Sequence, residues 1–495
     1  MALAFAFFPG LALSEVLSLQ PTQKFQTFHA WRGLVTGPYF PKSSVSPPVS
    51  QHLAPTLLNQ VLDDLTKDLG FTGFRIEIHS DRGIEQVNDN SDPFTINWAG
   101  FDFTKPYSVG GASYFDPVAT MQEVVLPVKQ RVEAQGLTFS SYISLVYTAT
   151  QGEVPPHWRI PNEYAELVEA YLTHLQTRYN FQPTFWALYN EPDLNGFSVS
   201  ELSSLIAATG PRIQQKGFST KIQYPETERP DTAVSWVDAI AGNAAVTPYL
   251  GMISYHSYDY NSQAAPSSFS SRNTLRSRAN QLGIFTGSTE ICCKYSFSWN
   301  GNYKHGLELA RDIYFNLSEA DAAVWEPLAL IGSCETKGCS AEPYGVGAPI
   351  LLENDLSKSI KLAHYYCLRQ FSHFIRPGYR RIGLTCSGCV STSAGQSVKG
   401  LAFQSPSGEY VAVVINDQTS SRTVELASFP AGVYTITGVD PQNTVTHSYP
   451  SQTISAGQRI SFVLPAQAIV TVVQGSSSAP DSVAPAPPTS LRLQP

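Results

Sequence analysis

The chain has 495 residues, of which 42% are hydrophobic and 15% are charged, so it can bury a large core and does not have the composition of a disordered protein. Its length predicts two or three domains, or one large barrel with an attached domain, and excludes a single small binding module. With 32 basic and 40 acidic residues the net charge is −8, and the lack of a basic surplus argues against nucleic acid as a partner.

The N-terminal segment, residues 1–25, leaves two interpretations open. Residues 1–14 are apolar and end in small residues, as in the remnant of a secretory signal, but the basic segment that begins such a signal is missing, so an ordinary apolar strand is the alternative. Residues 11–25 lie too far from the first barrel strand to belong to it, and we expect them to add a strand to the C-terminal domain. No stretch reaches about 18 consecutive apolar residues, so we expect no insertion into a membrane.

Between residues 26 and 332, short apolar runs alternate with longer amphipathic stretches, which is the pattern of β/α units around a parallel sheet. There are eight runs: 26–31, 71–79, 137–147, 184–191, 221–224, 250–258, 284–290 and 322–331. They predict an α/β fold in which residues 26–375 form a (β/α)8 TIM barrel. A doubly wound open sheet is the alternative, but no glycine-rich phosphate loop follows the first run, which argues against nucleotide binding.

The sequence after residue 375 changes to alternating, β-branched segments separated by turns. These segments are 401–404, 410–416, 423–426, 432–438 and 460–473, and they predict an all-β sandwich over residues 376–475. The last residues, 476–495, are rich in proline and serine and predict a linker or a disordered tail.

Seven cysteines occur mainly as close pairs. Cys334 with Cys339 and Cys386 with Cys389 predict local disulfides, and hence an oxidising compartment and a secreted or cell-envelope protein. Zinc bound by the two pairs is the alternative, although the pairs differ in spacing and fall in different predicted domains. For the adjacent Cys292 and Cys293 two alternatives stay open, a disulfide from one of them to a loop cysteine and a free thiol.

Two of the eight runs end in glutamate: run four in Glu191 and run seven in Glu290. The chemistry of a TIM barrel lies at the C-terminal ends of its strands. Two carboxyl groups facing one cleft are what glycosidic cleavage needs, about 5 Å apart for retention of configuration and about 6.5–9.5 Å apart for inversion. Taken singly, Glu191 could belong to a turn capped by Asn190, and Glu290 could be a salt-bridged carboxylate.

The motif Asn190-Glu191-Pro192 at the end of run four, together with Glu290 at the end of run seven, resembles the clan A retaining glycoside hydrolases. The resemblance implies that Glu191 is the acid/base, that Glu290 is the nucleophile and that Asn190 binds the sugar 2-hydroxyl. Within the clan the chain looks most like family 30, on the basis of residues 26–31 and of the last barrel helix in residues 365–378. It departs from the family at the first strand, where Ala30-Trp31-Arg32 replaces the usual Gly-Phe-Gly, and this leaves the substrate open.

Strand alternation in run two puts Arg75, Glu77 and His79 on one face. Arg75 resembles the clan's strand-two arginine, which would bond the nucleophile and keep it ionised. An ion pair with Glu77 that only fills the barrel is the alternative.

Further substrate-binding candidates follow from runs six to eight. His256 and Tyr258 match the clan's His-x-Tyr, and Trp325 matches the aromatic platform beneath the sugar, while core roles for all three remain alternatives. Trp299, after the nucleophile, is a candidate stacking residue. Glu226 and Glu326 are additional carboxylates that we rank below Glu290 as the nucleophile.

The sequence therefore predicts a retaining β-glycosidase that acts on a β-linked polysaccharide, preferably within the chain, as a monomer and without a cofactor or metal. A calcium site involving Asp81, Asp89 and Asp92 is an alternative for the loop after run two, but the EF-hand spacing is absent. A transglycosylase would use the same two glutamates, and a non-catalytic carbohydrate-binding or cell-surface protein could have kept the barrel without turnover.

Overall fold

The computed structural model describes residues 14–79, 92–109, 113–146, 156–259, 269–292, 303–335, 337, 347–387, 389 and 397–475. The strands are β1 Glu15–Thr27, β2 Ala30–Trp31, β3 Tyr39–Lys42, β4 Val49–His52, β5 Gly73–His79, β6 Tyr107–Val109, β7 Ser113–Phe115, β8 Ser140–Val146, β9 Phe185–Ala187, β10 Lys221–Thr227, β11 Leu250–His256, β12 Phe285–Glu290, β13 Ala322–Trp325, β14 Ile331–Ser333, β15 Ile350–Leu352, β16 Ser359–Lys361, β17 Arg380–Ser387, β18 Val398–Gln404, β19 Tyr410–Asn416, β20 Arg422–Ala427, β21 Gly432–Val439, β22 His447–Ile454, β23 Ile460–Leu464 and β24 Ile469–Gln474.

The helices are α1 Pro55–Asp63, α2 Pro117–Ala119, α3 Leu126–Ala134, α4 Pro161–Tyr179, α5 Val199–Gln215, α6 Pro230–Ile240, α7 Phe269–Leu282, α8 Tyr303–Glu319 and α9 Ala363–Ser372. A π-helical segment, Asp64–Asp68, extends α1, and another, Thr120–Val125, joins α2 to α3. Helices α1, α4 and α6 begin with proline, whose fixed φ suits the first helical turn. Helix α5 begins with a capping box between Ser198 and Glu201.

The predicted barrel is confirmed. Eight parallel strands form one sheet in the order β2-β13-β12-β11-β10-β9-β8-β5. The sheet closes because Leu34, just after β2, forms parallel bridges to both Arg75 of β5 and Ala329. Each of the eight predicted runs overlaps one of these strands.

The strand ends differ from the predicted runs at several places. In run four, β9 stops at Ala187, four residues before Glu191. Strand β10 continues three residues beyond its predicted end, to Thr227, and stays paired with β11 there. In run eight the barrel strand stops at Trp325, and Ile331 begins β14 of a separate three-stranded sheet with β15 and β16. In run one, Thr27 still pairs with Arg380 of β17 and so belongs to the C-terminal sheet.

The predicted β-sandwich is also present, as a nine-stranded sheet in the order β22-β21-β24-β19-β18-β17-β1-β20-β23. The N-terminal segment contributes a strand to this sheet: β1 lies between β17, to which it is antiparallel, and β20, to which it is parallel. Strands β17 and β22 of this sheet were not predicted. Most residues of β22 are exposed or only partly buried.

Cys386 and Cys389 form a disulfide, as predicted, which rules out their use as free thiolate ligands for zinc. Cys334 is also disulfide-bonded; Cys339 lies outside the described residues, as does the 476–495 tail. Among the helices that the structure describes, none combines the length and the apolarity required to span a bilayer.

Candidate active site

The two predicted glutamates lie at the C-terminal ends of the barrel strands. Glu290 is the last residue of β12, and Glu191 follows β9 by four residues. Glu191 adopts a left-handed backbone conformation, with φ 45°, and its N–H donates a 3.1 Å hydrogen bond to the carbonyl of Glu226, which is also left-handed, with φ 62°. Such a conformation costs a non-glycine residue about 1–3 kcal/mol and is typical of functional sites.

A β-bulge at the end of β12 aims two consecutive side chains into the barrel. Tyr255 of β11 pairs with Ser288, but the next residue, His256, pairs with Glu290, so Thr289 is the extra residue. Ser288 bonds Ser257 at 2.8 Å, on the side of the helices, whereas the Thr289 hydroxyl donates to the carboxylate of Glu226 inside the barrel. The bulge therefore lets both Thr289 and Glu290 face the interior.

The Glu290 carboxylate is held from both sides. Its Oε2 accepts a hydrogen bond from Nη1 of Arg75, and its Oε1 accepts one of 2.6 Å from the Tyr258 hydroxyl. Burial alone would raise the pKa of Glu290, but the positive charges of His256 and Arg75 and the Tyr258 hydroxyl bring it below its ordinary value. Burial and the Glu290 charge raise the pKa of Tyr258, so this hydroxyl keeps its proton and remains a donor. Glu290 is therefore an ionised carboxylate of fixed orientation.

Arg75 joins the two strand ends. Its Nη2 donates to Oε1 of Glu77 and, at 2.7 Å, to Oδ1 of Asn190. Arg75 thus contacts Glu77, the partner in the barrel-filling alternative, as well as Glu290. The side-chain oxygen of Asn190 accepts the hydrogen bond from Arg75. The NH2 group of the same amide therefore points away from Arg75 and can act as a donor.

His256 lies between the two catalytic candidates. Its Nδ1 is 2.9 Å from Oε1 of Glu191 and 3.8 Å from Oε1 of Glu290, and its Nε2 is 3.9 Å from Oε2 of Glu226. Burial alone would lower the pKa of His256, but the charge of Glu290, the hydrogen bond to Glu191 and the charge of Glu226 raise it to about 9. His256 is therefore a cation at neutral pH.

One oxygen of Glu191, one oxygen of Glu290 and Nδ1 of His256 all lie within 4.8 Å of one another. The three side chains already make hydrogen bonds here, His256 with Glu191 and Glu290 with Arg75 and Tyr258. The donor set suits proton transfer and nucleophilic attack better than metal binding.

Glu226 has a more central place than the sequence indicated. It is buried at the end of β10, where its carboxylate accepts hydrogen bonds from Gln223 and Thr289. Both oxygens of Glu290 also accept hydrogen bonds, but its side chain is 8% exposed, whereas that of Glu226 is 1% exposed. The sequence could have singled out Glu226 because this residue comes just after run five, where a strand was expected to end.

The structure does not bring Trp325 to the site. Trp325 is fully buried, its indole N–H donates a 2.7 Å hydrogen bond to Asp312 of α8, and its ring packs edge-on against Trp31. It therefore lies between the barrel and its helices and is a core tryptophan, not a platform beneath a sugar. Trp299, the other aromatic candidate, falls outside the described residues, as do Asp81 and Asp89 of the calcium alternative.

Glu326, the next residue along from Trp325, points into the barrel and pairs with Arg32. The Nε of Arg32 donates to Oε1 of Glu326 at 2.7 Å, and neither side chain is exposed. Burial raises the pKa of Glu326 to about 7, although Arg32 opposes the shift. The sequence singled out the unusual Arg32 and the extra Glu326, but not their pairing across the barrel.

The raised pKa of Glu326 predicts a pH-dependent stability. In the unfolded chain the pKa of this carboxyl is near its ordinary value of 4.5, whereas in the folded chain burial raises the pKa to about 7. The stabilisation is therefore complete below about pH 4.5 and is lost as the pH rises to about 7, by about 3 kcal/mol in the free energy of unfolding. Urea unfolding of the parent and of Glu326→Gln at pH 5 and pH 7.5 measures this contribution. Equal pH dependence in the two proteins would contradict the assignment.

Comparisons with known proteins support the fold. Residues 380–472 match the glycosyl hydrolase family 30 beta sandwich domain. No curated protein sequence matches the chain. Among solved structures, the catalytic domain of a family 30 xylanase C from Talaromyces cellulolyticus is 20% identical, with a TM-score of 0.65 over 93% of this chain and 100% of that one.

A family 30 endoxylanase from Clostridium papyrosolvens C71 is 15% identical, with a TM-score of 0.62 over 93% of this chain and 100% of that one. An endo-beta1,6-glucanase is 16% identical, with a TM-score of 0.64 over 96% of each chain. The predicted resemblance to clan A glycoside hydrolases of family 30 is therefore confirmed for the fold.

Proposed function

We propose that this chain, which has the family 30-like fold of clan A glycoside hydrolases, hydrolyses β-linked glycans with retention of configuration. The observation that carries the proposal is the placement of Glu191 and Glu290, which have carboxylate oxygens within 4.8 Å of each other. Retaining enzymes keep their two carboxyl groups about 5 Å apart, whereas inverting enzymes leave about 6.5–9.5 Å for a water molecule.

In the first step Glu290 attacks the anomeric carbon, and a bond forms between that carbon and a Glu290 oxygen. The bond from the anomeric carbon to the glycosidic oxygen breaks, and that oxygen takes a proton from Glu191. Arg75 and Tyr258 support this step because they hold the nucleophile ionised and fixed in direction.

In the second step Glu191 accepts a proton from water, whose oxygen bonds to the anomeric carbon while the ester bond to Glu290 breaks. His256 lies against Glu191 at 2.9 Å, where its charge and N–H orient the acid/base carboxyl. The amide of Asn190, turned by its bond to Arg75, is the proposed donor to the sugar 2-hydroxyl.

For the substrate we propose a β-linked polysaccharide cut within the chain. Two of the similar solved structures carry names that describe endo-acting enzymes, one on xylan and one on β-1,6-glucan. For the location we propose a secreted or cell-envelope protein, since the Cys386–Cys389 disulfide suits an oxidising compartment.

The test is the release of reducing ends from xylan, β-1,6-glucan, β-1,3-glucan and β-galactan by the purified protein, with the anomer of the first product followed by proton NMR. We expect one glycan to be cut with the β-anomer formed first. An α-anomer formed first would overturn the retaining mechanism. Binding of a glycan without any release would favour the non-catalytic carbohydrate-binding protein, and longer products from a donor and acceptor mixture would favour a transglycosylase.

A further inference from the structure

A buried pair, Arg32 and Glu326, lies inside the barrel, and Arg32 stands where the sequence departs from the family 30 pattern. Arg32 follows β2 and Glu326 follows β13, and both side chains are fully buried. Two nitrogens of Arg32, Nε and Nη2, lie 2.7 and 2.6 Å from the same oxygen of Glu326. The proposed chemical steps use neither residue.

The surroundings of Arg32 are shaped to hold its side chain. Its guanidinium lies 4.6 Å from the centre of the Tyr142 ring, and its Nη1 reaches the Ser140 hydroxyl at 3.5 Å. Gly73 lies alongside, where an added Cβ would come within 2.9 Å of the Arg32 Cγ. A cation over an aromatic face is favourable, so Arg32 and Tyr142 fix each other.

Two contacts connect Arg32 and Tyr142 to the end of β12, which carries Glu290. The Tyr142 hydroxyl lies 3.5 Å from the carbonyl of Thr289, the residue before Glu290. The Thr289 hydroxyl donates to Glu226, whose own carbonyl accepts the N–H of Glu191. One residue, Tyr142, thus connects Arg32 to the bulge that aims Glu290, and Glu326 is connected through Arg32.

We infer that Arg32 and Glu326 are positioning residues for the proposed glycoside hydrolysis: through Tyr142 and Thr289 the pair fixes the direction of the Glu290 carboxylate. The inference rests on the proposed function. A displacement of about 1 Å at a reacting group costs about 10²-fold in rate, so a small shift of Thr289 is sufficient. A buried ion pair usually contributes little net stability, because desolvation offsets the attraction, which makes a purely stabilising role a poor explanation.

Charged and titratable groups face Glu326 from four directions. They are Arg32 after β2, Arg75 on β5, Tyr142 on β8 and Glu226 on β10. Because Glu326 titrates near pH 7, its charge changes within the range where a glycosidase works, and this charge acts on the same Arg75 that holds Glu290. The pH profile of kcat/KM therefore reports on the pair.

The experiment compares the parent with the double variant Arg32→Met/Glu326→Gln, which leaves no unpaired buried charge. On the glycan that the parent cuts, we expect kcat to fall about 10- to 100-fold with KM nearly unchanged, and the inflection near pH 7 to disappear. Arg32→Lys keeps the charge but not the planar fork, so we expect it to keep the inflection and part of the rate.

The matched control is Arg381→Met/Asp321→Asn, which removes a mostly buried pair between β17 and the turn before β13. It is expected to change the melting temperature and leave kcat and the pH profile as in the parent. The positioning role is overturned if either Arg32→Met/Glu326→Gln or Arg32→Lys has the same kcat and the same pH profile as the parent. The proposed function would then still stand. A parent that cuts none of the glycans overturns both.

Discussion

Replacing Glu290 with alanine is expected to lower kcat on the glycan substrate by at least about 10⁴-fold while the protein stays folded. The carboxylate is the only proposed attacking group, and its orientation depends on contacts from Arg75 and Tyr258 that no neighbouring carboxylate shares in full. Added azide is expected to enter the space left by the side chain and to form an α-glycosyl azide from an activated β-glycoside. The product is identified by NMR.

The control for Glu290→Ala is Glu163→Gln, which removes a buried carboxylate from α4, outside the catalytic cluster. It is expected to retain the parent's kcat. If Glu290→Ala keeps more than a hundredth of the parent's activity, or if azide yields only the β-anomer, Glu290 is not the nucleophile.

Replacing Glu191 with alanine is expected to show a dependence on the leaving group. The departing sugar of a polysaccharide is a poor leaving group and needs a proton from Glu191. Therefore kcat/KM on the glycan should fall about 10²- to 10⁴-fold. A dinitrophenyl β-glycoside needs no proton, so the first step should remain fast and the second should slow, which gives a burst of dinitrophenol. Azide should accelerate the second step and form the β-glycosyl azide.

The opposite anomers from the two azide experiments separate the roles of the two glutamates. Stopped-flow absorbance measures the burst. A Glu191→Ala protein that is slowed equally on the glycan and on the activated substrate would argue that Glu191 positions the substrate and does not transfer the proton.

The eight barrel strands could be predicted because each buried parallel strand is a short apolar run, and because the runs recur with helices between them. The position of Glu191 and Glu290 at the strand ends followed from the same counting. Strand alternation put Arg75 on the same face of run two as Glu77 and His79, and the resemblance to the clan A strand-two arginine implied its contact with Glu290.

The details that decide the site's shape could not be predicted in the same way. Alternation also places Trp325 and Glu326 on opposite faces, but one sequence does not say which face is inside, and the aromatic residue was assigned to the wrong one. The bulge at Thr289 breaks the two-residue period itself, so the inward direction of Thr289 depends on pairing with β11. The Arg32–Glu326 pair joins residues 294 positions apart and needs the closed barrel to form.

The position of β1 has a consequence for how the protein is made. The strand lies between β17 and β20, so a segment near the start of the chain is hydrogen-bonded to strands that are synthesised after the whole barrel. Contacts of such sequence separation form slowly, and β1 must stay available while the whole barrel is produced. A fragment limited to the matched residues 380–472 would expose the paired edges of β17 and β20, which are surfaces that invite association with other chains. The C-terminal sandwich is therefore not an independent module of this protein. Its sheet is complete only when β1, from the N-terminal segment, has paired with β17 and β20.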